Sequence, residues 1–249
     1  MVESKNTGEP GSVGDEPTIA PADAQPTDAP AVVDREAVKA ALLEQAEAIV
    51  SKWDTYNVRA NIPGKKIVVK TFSAGDGLQA AISKYIAQKM CMDVHVKELI
   101  DNRNFHLAKM MPTSTFTRLP DQPGCQAYAV NINTKASIND RAYIACHYDY
   151  VKEDGTRIHI ESTKDCEQLR KDHADKLTDK AVLCDIPLGY ISYKQEEDGL
   201  HITVISIVKM QARVPNFFIS FAHQKNTTGA KMIEDYIVDG TVPPLNVNQ

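Results

Sequence analysis

The sequence lacks any run of 18 or more apolar residues, so it predicts no membrane-spanning helix. Its opening stretch, MVESKNTGEPGS, has neither the basic segment nor the apolar core of a secretory signal. We therefore expect a cytoplasmic, intracellular protein that makes no membrane contact.

Cysteine is scarce, and its spacing excludes two common scaffolds. The five cysteines are about 20 to 35 residues apart and form no Cys-x-x-Cys pair: Cys91, Cys125, Cys146, Cys166 and Cys184. An odd number at this spacing argues against both a disulfide framework and a zinc ribbon. No cysteine has a local setting that marks it as a nucleophile, although a cysteine-histidine pair assembled only by folding stays open.

The common catalytic and phosphate-binding motifs are also missing. The chain contains no GxSxG elbow, and the turn SAGDGLQ matches neither GxGxxG nor GxxxxGK[ST]. Asp76 would in addition repel an anion at this turn. His95 and His106 are too far apart for HExxH-type metal chemistry. We therefore predict no cofactor and favour a non-enzymatic function.

The charge is unevenly distributed along the chain. Residues 1–33 hold six acidic residues and one lysine, whereas the remainder is neutral, with 27 acidic and 27 basic residues. A neutral body lacks the basic footprint of a typical nucleic-acid-binding protein, although a local patch stays open.

We predict two regions. Residues 1–33 are rich in proline, alanine and acidic residues and contain no aromatic residue, which predicts a disordered tail. Residues 34–249 are predicted to form a single domain that starts with a helix over about 35–56. Asp34 is the expected N-cap of this helix, and Val38, Leu42 and Ile49 share one face at helical spacing.

The order of periodic segments predicts the fold class. We expect a strand at 66–72, a helix at 73–90, a second amphipathic stretch to about 111 and a proline-rich loop to 124. From residue 126 the chain is rich in strands joined by tight turns, with one helix from about Asp165, a strand NFFISFAH and a final helix. This order favours an α+β fold with a mainly antiparallel sheet of five to seven strands and helices packed on one face.

The segment AYIACHYDYVKEDGTRIHIES predicts a hairpin with a distinctive pairing. If Glu153-Asp154-Gly155 is a three-residue loop with Gly155 left-handed, Tyr148 faces Ile160 on an apolar side. On the opposite side His147 faces Glu161 and Asp149 faces His159. A two-residue loop would mix the two sides, so we favour the three-residue loop.

We define the hairpin cluster as His147, Asp149, His159 and Glu161. These residues could bind a divalent metal, with His147, His159 and Glu161 as ligands, or perform acid-base catalysis. They could equally be cross-strand pairs on a solvated face of the sheet. Since no cleft, nucleophile or supporting residue can be recognised from the sequence, we favour the solvated face.

A second hairpin is predicted around QEEDGLHIT. With Glu197-Asp198-Gly199 as its loop, Ile191 would meet Ile205. The run ITVISIV is continuous and β-branched, which predicts a central strand buried on both faces.

These features favour a non-enzymatic interaction or assembly protein, a structural protein that acts through a protein partner or self-association, from a viral, phage or cellular source. The first alternative is a metal-dependent or acid-base enzyme that uses the hairpin cluster. The second is a single-stranded nucleic-acid-binding protein that uses strand tyrosines with Lys65, Lys66 and Lys70, although the RNP1 pattern is absent and the net charge does not favour it.

Overall fold

In the computed structural model of the chain, the described residues are 33–62, 66–75, 78–110, 113–133, 139–210 and 234–239. The predicted tail at residues 1–33 lies outside them except for Val33, and so do Lys65 and the predicted strand NFFISFAH. The disordered tail and the domain boundary at residue 34 therefore stay predictions.

The chain enters its ordered part through a long helix, α1 (Arg35–Ser51), followed by a short 3-10 turn at Trp53–Thr55. The Asp34 carboxylate accepts hydrogen bonds from the Glu36 and Ala37 amides, both at 3.1 Å, which confirms it as the N-cap. Val38, Leu42, Ala46 and Ile49 are buried on one face, as the spacing predicts.

Nine strands form one sheet in the described part of the chain. They are β1 (Asn57–Ile62), β2 (Ile67–Ser73), β3 (Gln79–Ala87), β4 (Ser114–Arg118), β5 (Gln126–Ile132), β6 (Arg141–Val151), β7 (Arg157–Ser162), β8 (Val182–Glu196) and β9 (Gly199–Met210). Their order is β1-β2-β3-β9-β8-β7-β6-β5-β4, and every neighbouring pair is antiparallel. The last strand thus lies between β3 and β8.

One face of the sheet packs against α1. Leu42 and Ala46 of the helix contribute to the same core as Ile144, Ile160 and Ile205 of the sheet. A short helix, α4 (Glu167–Asp172), adds Leu169 to this core, and a 3-10 turn follows at Ala174–Lys176. We call this side of the sheet the first face.

The opposite side, the second face, is covered by other helices. A π-helical turn (Met92–Val96), α2 (Lys97–Asp101) and α3 (Arg103–Met110) follow β3. Leu99 packs with Tyr193 and Ile202 of the sheet, and Ile237 and Val238 of a helix at 234–239 pack against the same cluster.

Two buried polar residues tie these covering helices together. Glu234 accepts hydrogen bonds from the Tyr85 hydroxyl and, at 2.7 Å, from the Lys89 amide. His106 contacts the Tyr236 hydroxyl through Nδ1 and Glu98 through Nε2, both at 3.0 Å. The 234–239 helix is therefore joined both to the end of β3 and to α2 and α3.

The predicted α+β fold with five to seven strands and helices on one face is wrong. Within the described ranges the sheet has nine strands, and helices cover both of its faces. The main error concerns β3, which the sequence analysis assigns to a helix. Ile82 faces α1 whereas Tyr85 faces α2, so burial on both sides of this strand produces a spacing that mimics a helix.

The β8-β9 hairpin also differs from its prediction. Glu196 pairs with Gly199, so the turn has two residues, and Ile191 meets Val204 rather than Ile205. The strand character of both segments is confirmed, but the predicted pairing is shifted by one residue.

No helix in the described ranges combines the length and apolar character needed to cross a bilayer.

Candidate functional site

A cavity of about 530 Å³ lies on the second face, between the sheet and the α2-α3 segment. Its lining residues come from α2, α3 and the residue between them, and from β4, β5, β6 and β7: Ile100, Asp101, Asn102, Arg103, Phe105, Arg118, Gln126, Tyr128, His147, Asp149 and His159. Three of the four residues of the hairpin cluster thus line one partly open cavity.

The β6-β7 hairpin places the cluster by its register. Tyr148 pairs with Ile160, His147 with Glu161 and Asp149 with His159, as predicted. Gly155 has a φ of +80°, and its amide donates to the Lys152 carbonyl at 3.0 Å, which confirms the three-residue loop with a left-handed glycine.

The predicted solvated face is wrong for the two histidines, because both are buried, whereas the Asp149 side chain is exposed. His147 is 4% exposed and His159 is 2% exposed. The α2-α3 segment lies over them, so a side of the hairpin that reads as polar in the sequence is the inner wall of a cavity.

His159 is held by Asp149. Its Nδ1 lies 2.7 Å from the Asp149 carboxylate, which fixes the ring and places the proton on Nδ1. Burial, together with the positive charge of Arg103, lowers the pKa of His159 to about 3 in spite of Asp149. The ring is therefore neutral at pH 7 and presents Nε2 as a hydrogen-bond acceptor.

His147 lies beside His159 and under Tyr128. The two imidazole centroids are 5.1 Å apart, and the Tyr128 ring centroid is 4.6 Å from that of His147. Its Nε2 is 3.6 Å from the Glu161 carboxylate, which is longer than a hydrogen bond. Within the described part of the chain, both ring nitrogens of His147 and Nε2 of His159 have no hydrogen-bond partner.

Glu161 is the fourth member of the cluster. Burial raises the pKa of its carboxyl, but His147, Arg103 and a hydrogen bond from Tyr143 outweigh burial and lower the pKa to about 2. Gly189 pairs with Glu161 on β8, and a Cβ there would lie 3.4 Å from the Glu161 Cβ.

The cavity has a balanced set of charges. Arg103 and Arg118 contribute positive charge, and Asp101 and Asp149 contribute negative charge. Arg118 also pairs with Asp121 at 2.6 Å. Burial raises the pKa of Asp149, but its hydrogen bond with His159 outweighs burial, so its pKa lies below the ordinary value and it stays ionised. A neutral polar group suits such a site better than an anion.

The predicted metal ligands do not form a compact group. In the described ranges, one group of possible metal ligands is compact, and it lies on the β8-β9 turn. It consists of Glu196, Asp198 and His201, whose ligand atoms all lie within 4.8 Å of one another. His147, His159 and Glu161 are close neighbours but are not in that group. Their role as metal ligands stays a prediction.

The lysines proposed for nucleic-acid binding lie elsewhere. Lys70 is 8% exposed, donates to the Trp53 carbonyl at 2.9 Å and lies 4.6 Å from the centroid of the Trp53 ring. Lys66 is exposed at the start of β2, and Lys65 is outside the described residues. Lys70 is thus occupied by an internal contact.

Sequence reasoning missed the residues that complete the site. Arg103 lowers the pKa of three groups of the cluster, and Phe105 and Tyr128 supply aromatic walls. Arg103 lies in an amphipathic stretch that carries no motif, and only the position of α3 over the sheet identifies it. Tyr128 has a weak signal, because it is one of several tyrosines on predicted strands.

Three solved structures are similar to this chain. Human StAR-related lipid transfer protein 5 superimposes with a TM-score of 0.65 at 10% identity, covering 83% of this chain and 97% of that one. Human STARD10 gives a TM-score of 0.56 at 9% identity, over 74% of this chain and 73% of that one. A StAR-related lipid transfer protein fragment from Xanthomonas axonopodis gives 0.54 at 14% identity, over 73% and 98%.

The chain has the StAR-related lipid transfer fold. At these identities the likeness shows the fold alone. No family model matches the sequence, and no curated protein is similar to it.

The StAR-related lipid transfer fold overturns the predicted function. The prediction of a structural protein that acts in assembly through protein-protein contacts is wrong, because the solved structures with this fold are lipid transfer proteins. The descriptions of the chain as a structural protein, an oligomer and an α+β interaction domain are wrong for the same reason.

Proposed function

We propose that this protein binds a neutral, hydroxyl-bearing lipid in the cavity under α2 and α3 and carries it. The observation that carries this proposal is the pair of buried histidines in the cavity wall, because both ring nitrogens of His147 and Nε2 of His159 lack partners among the described residues. The names of the similar structures supply the general class of ligand.

His159 indicates which polar group the ligand carries. Its Nδ1 donates to Asp149, so Nε2 carries a lone pair that has no partner among the described residues. A buried acceptor without a partner costs about 1–3 kcal/mol. A ligand hydroxyl that donates to Nε2 removes this cost.

The charges of the cavity lining narrow the class of ligand further. The cavity lining contains two arginines, Arg103 and Arg118, and two carboxylates, Asp101 and Asp149. These carboxylates would repel the negative charge of a phosphate or a carboxylate, whereas they would not repel an uncharged hydroxyl. These charges support a neutral lipid rather than a phospholipid or a fatty acid.

The size and the walls of the cavity support binding of a small ligand. Its volume of about 530 Å³ falls within the range of about 300–1,000 Å³ that is usual for small-molecule sites. Ile100, Phe105 and the Tyr128 ring supply apolar contact for the ligand body. The similar structures alone do not specify this arrangement of residues.

A fluorescence titration tests the proposal. Full-length protein is titrated with NBD-labelled cholesterol, which has a free hydroxyl, and with the methyl ether of the same probe. We expect saturable binding of the free sterol and weaker binding of the ether. His159→Phe should reduce sterol affinity by about 10- to 100-fold, because the acceptor is lost.

The control is Lys171→Ala on the exposed side of α4, which should bind the sterol as the wild type does. Equal binding of the sterol and its ether, or full affinity in a folded His159→Phe variant, would disprove the role of the hydroxyl. Tighter binding of an NBD-labelled fatty acid would contradict the inference of a neutral ligand.

The remaining expectations from the sequence are not part of this proposal. Cytoplasmic location and a protein partner stay predictions. The single domain from residue 34 onward also stays a prediction.

A further inference from the structure

Three cysteines that are distant in sequence meet where the start of α1 approaches the sheet. Cys125 precedes β5, Cys146 lies in β6 and Cys166 precedes α4. The Cys125 and Cys146 sulfurs are 2.9 Å apart, and the Cys146 and Cys166 sulfurs are 3.7 Å apart. All three are free thiols in the structure.

The three thiols differ in exposure. Cys146 and Cys166 are completely buried, whereas Cys125 is partly exposed. Cys125 lines a surface pocket of about 360 Å³ together with Lys39 and Gln122. A small solute can therefore reach Cys125 from solvent, while Cys146 lies behind it.

The strand pairing brings Cys125 and Cys146 close together. Ala127 pairs with Cys146 across β5 and β6, so Cys125 is two residues from the cross-strand position and within diagonal reach. A disulfide bond is about 2.05 Å long, so the sulfurs have to approach by less than about 1 Å.

A positive charge lies next to the cluster. Arg35, the first residue of α1, is 9% exposed and donates through one guanidinium nitrogen to the Asp165 carbonyl at 3.0 Å. Its other terminal nitrogen is buried without a hydrogen-bond partner in the described ranges. Gly124 brings this helix end close, since a Cβ there would lie 3.0 Å from the Arg35 Cβ.

The surroundings of Cys125 and Cys146 shift the pKa values of the two thiols in opposite directions. The hydrogen bond with Cys146 and the charge of Arg35 lower the pKa of Cys125 against the effect of burial. The same hydrogen bond, with burial, raises the pKa of Cys146 to about 11. Cys125 is thus the thiol that ionises first, and Cys146 is its proton-bearing neighbour.

We propose that Cys125 and Cys146 form a reversible disulfide when the protein reacts with hydrogen peroxide. The Cys125 thiolate attacks one peroxide oxygen, the O–O bond breaks, and the released hydroxide takes a proton to become water. The resulting Cys125 sulfenic acid is attacked by the Cys146 sulfur, which loses its proton, and a second water leaves as the S–S bond forms. The two thiols together lose two electrons, and the peroxide gains them.

Peptide mapping after oxidation tests this proposal without any substitution. Full-length protein is treated with hydrogen peroxide, quenched, blocked with N-ethylmaleimide and digested with trypsin. The five cysteines fall in five different tryptic peptides, 90–97, 119–135, 142–152, 165–170 and 181–194. We expect a cross-link between peptides 119–135 and 142–152 that dithiothreitol reverses.

Each other product would overturn the proposal. These products are a cross-link between 142–152 and 165–170, irreversible oxidation of Cys125 without a cross-link, or recovery of all five thiols. A link between two protein molecules would also overturn it, and intact mass distinguishes that case from a link within one chain.

Variants separate the roles of the two thiols. Cys146→Ser should leave a Cys125 sulfenic acid that dimedone labels, and Cys125→Ser should abolish the cross-link. Cys184→Ser, a buried cysteine outside the cluster, is the matched control and should cross-link as the wild type does. In the unmodified protein, iodoacetamide should label Cys125 at least about tenfold faster than Cys184. A slower reaction at Cys125 would contradict its role as the attacking thiolate.

Discussion

At the scale of single residues, the site shows what sequence pattern reveals and what it does not. The Glu-Asp-Gly turn and strict alternation fix the pairing of His147 with Glu161 and of Asp149 with His159. Burial of the same residues depends on Arg103 and its helix, which lie far away in sequence. An alternating strand has the same pattern whether its polar side faces water or a polar cavity, so the pattern predicts the neighbours but not the environment.

The protonation of His159 leads to a prediction about stability. The pKa of this imidazole falls from about 6.5 in the unfolded chain to about 3 in the folded protein. Between these values the unfolded state binds a proton that the folded state does not. The free energy of unfolding therefore falls as pH falls below about 6.5, by at most about 1.4 kcal/mol per pH unit from this group.

Urea unfolding at pH 7.0 and at pH 5.0 measures this effect. Glu161 is a minor contributor in that window, because its pKa is lowered from 4.5 to about 2 and its effect appears below about pH 4.5. His159→Phe should lose less stability than the wild type on acidification, and His173→Asn, outside the cavity, should behave as the wild type does. An equal loss in His159→Phe and wild type would show that His159 is not the proton-linked group.

At the scale of elements, two glycines explain why the sequence predicts the β6-β7 turn correctly and the β8-β9 turn incorrectly. Gly155 lies within its loop and is left-handed, so the three-residue turn follows from the sequence. Gly199 follows the same Asp-Gly pattern but belongs to the strand, where a Cβ would lie 2.8 Å from the Ala87 carbonyl. The close approach of β3 decides the second register, and the local sequence contains no sign of it.

The approach of α1 to the sheet depends on Gly124. Its φ is +75°, and a Cβ would lie 3.0 Å from the Arg35 Cβ. Gly124→Ala should lower the free energy of unfolding by about 1 kcal/mol for the backbone conformation, and by about 1–3 kcal/mol more because α1 is pushed away. Urea unfolding measures the change.

Gly155→Ala is the matched control, because Gly155 has a φ of +80° and a Cβ there would meet no other atom within 4 Å. Gly155→Ala should therefore lower the free energy of unfolding only by the cost of the left-handed backbone conformation. If the two alanine variants are equally destabilised, the contact with Arg35 does not hold α1 in place.

At the scale of the whole molecule, the sequence predicts a mainly antiparallel sheet but underestimates its size. The β6-β7 and β8-β9 hairpins are recognised from alternation and turns, since both are local. The polar strands β1 and β4 are the two edges of the sheet, where half-exposed residues give a weak signal, and β3 is mistaken for a helix. The cavity requires α2 and α3 over β5 to β7, which no local pattern predicts.

We expect hydrogen exchange in α2 and α3, the helices over the cavity, to slow when ligand binds. α2 and α3 are only 5 and 8 residues long, so their order depends on packing rather than on helix propensity. Hydrogen exchange of full-length protein with and without cholesterol should slow by about tenfold across 97–110 when the cavity is filled. The central residues of β8 and β9 should exchange at the same rate in both samples and provide the internal control. Unchanged exchange in α2 and α3 at saturating sterol would place the ligand elsewhere.

The position of β9 has a consequence for synthesis on the ribosome. β3 pairs along its whole length with β9, and Val208 emerges 129 residues after its partner Gln79. Until then the nascent chain displays two unfinished sheet edges, one on β3 and one on β8, each with unpaired amides and carbonyls. The molecule therefore acquires its continuous sheet only when translation has passed Met210, and any earlier stop leaves a chain prone to aggregation.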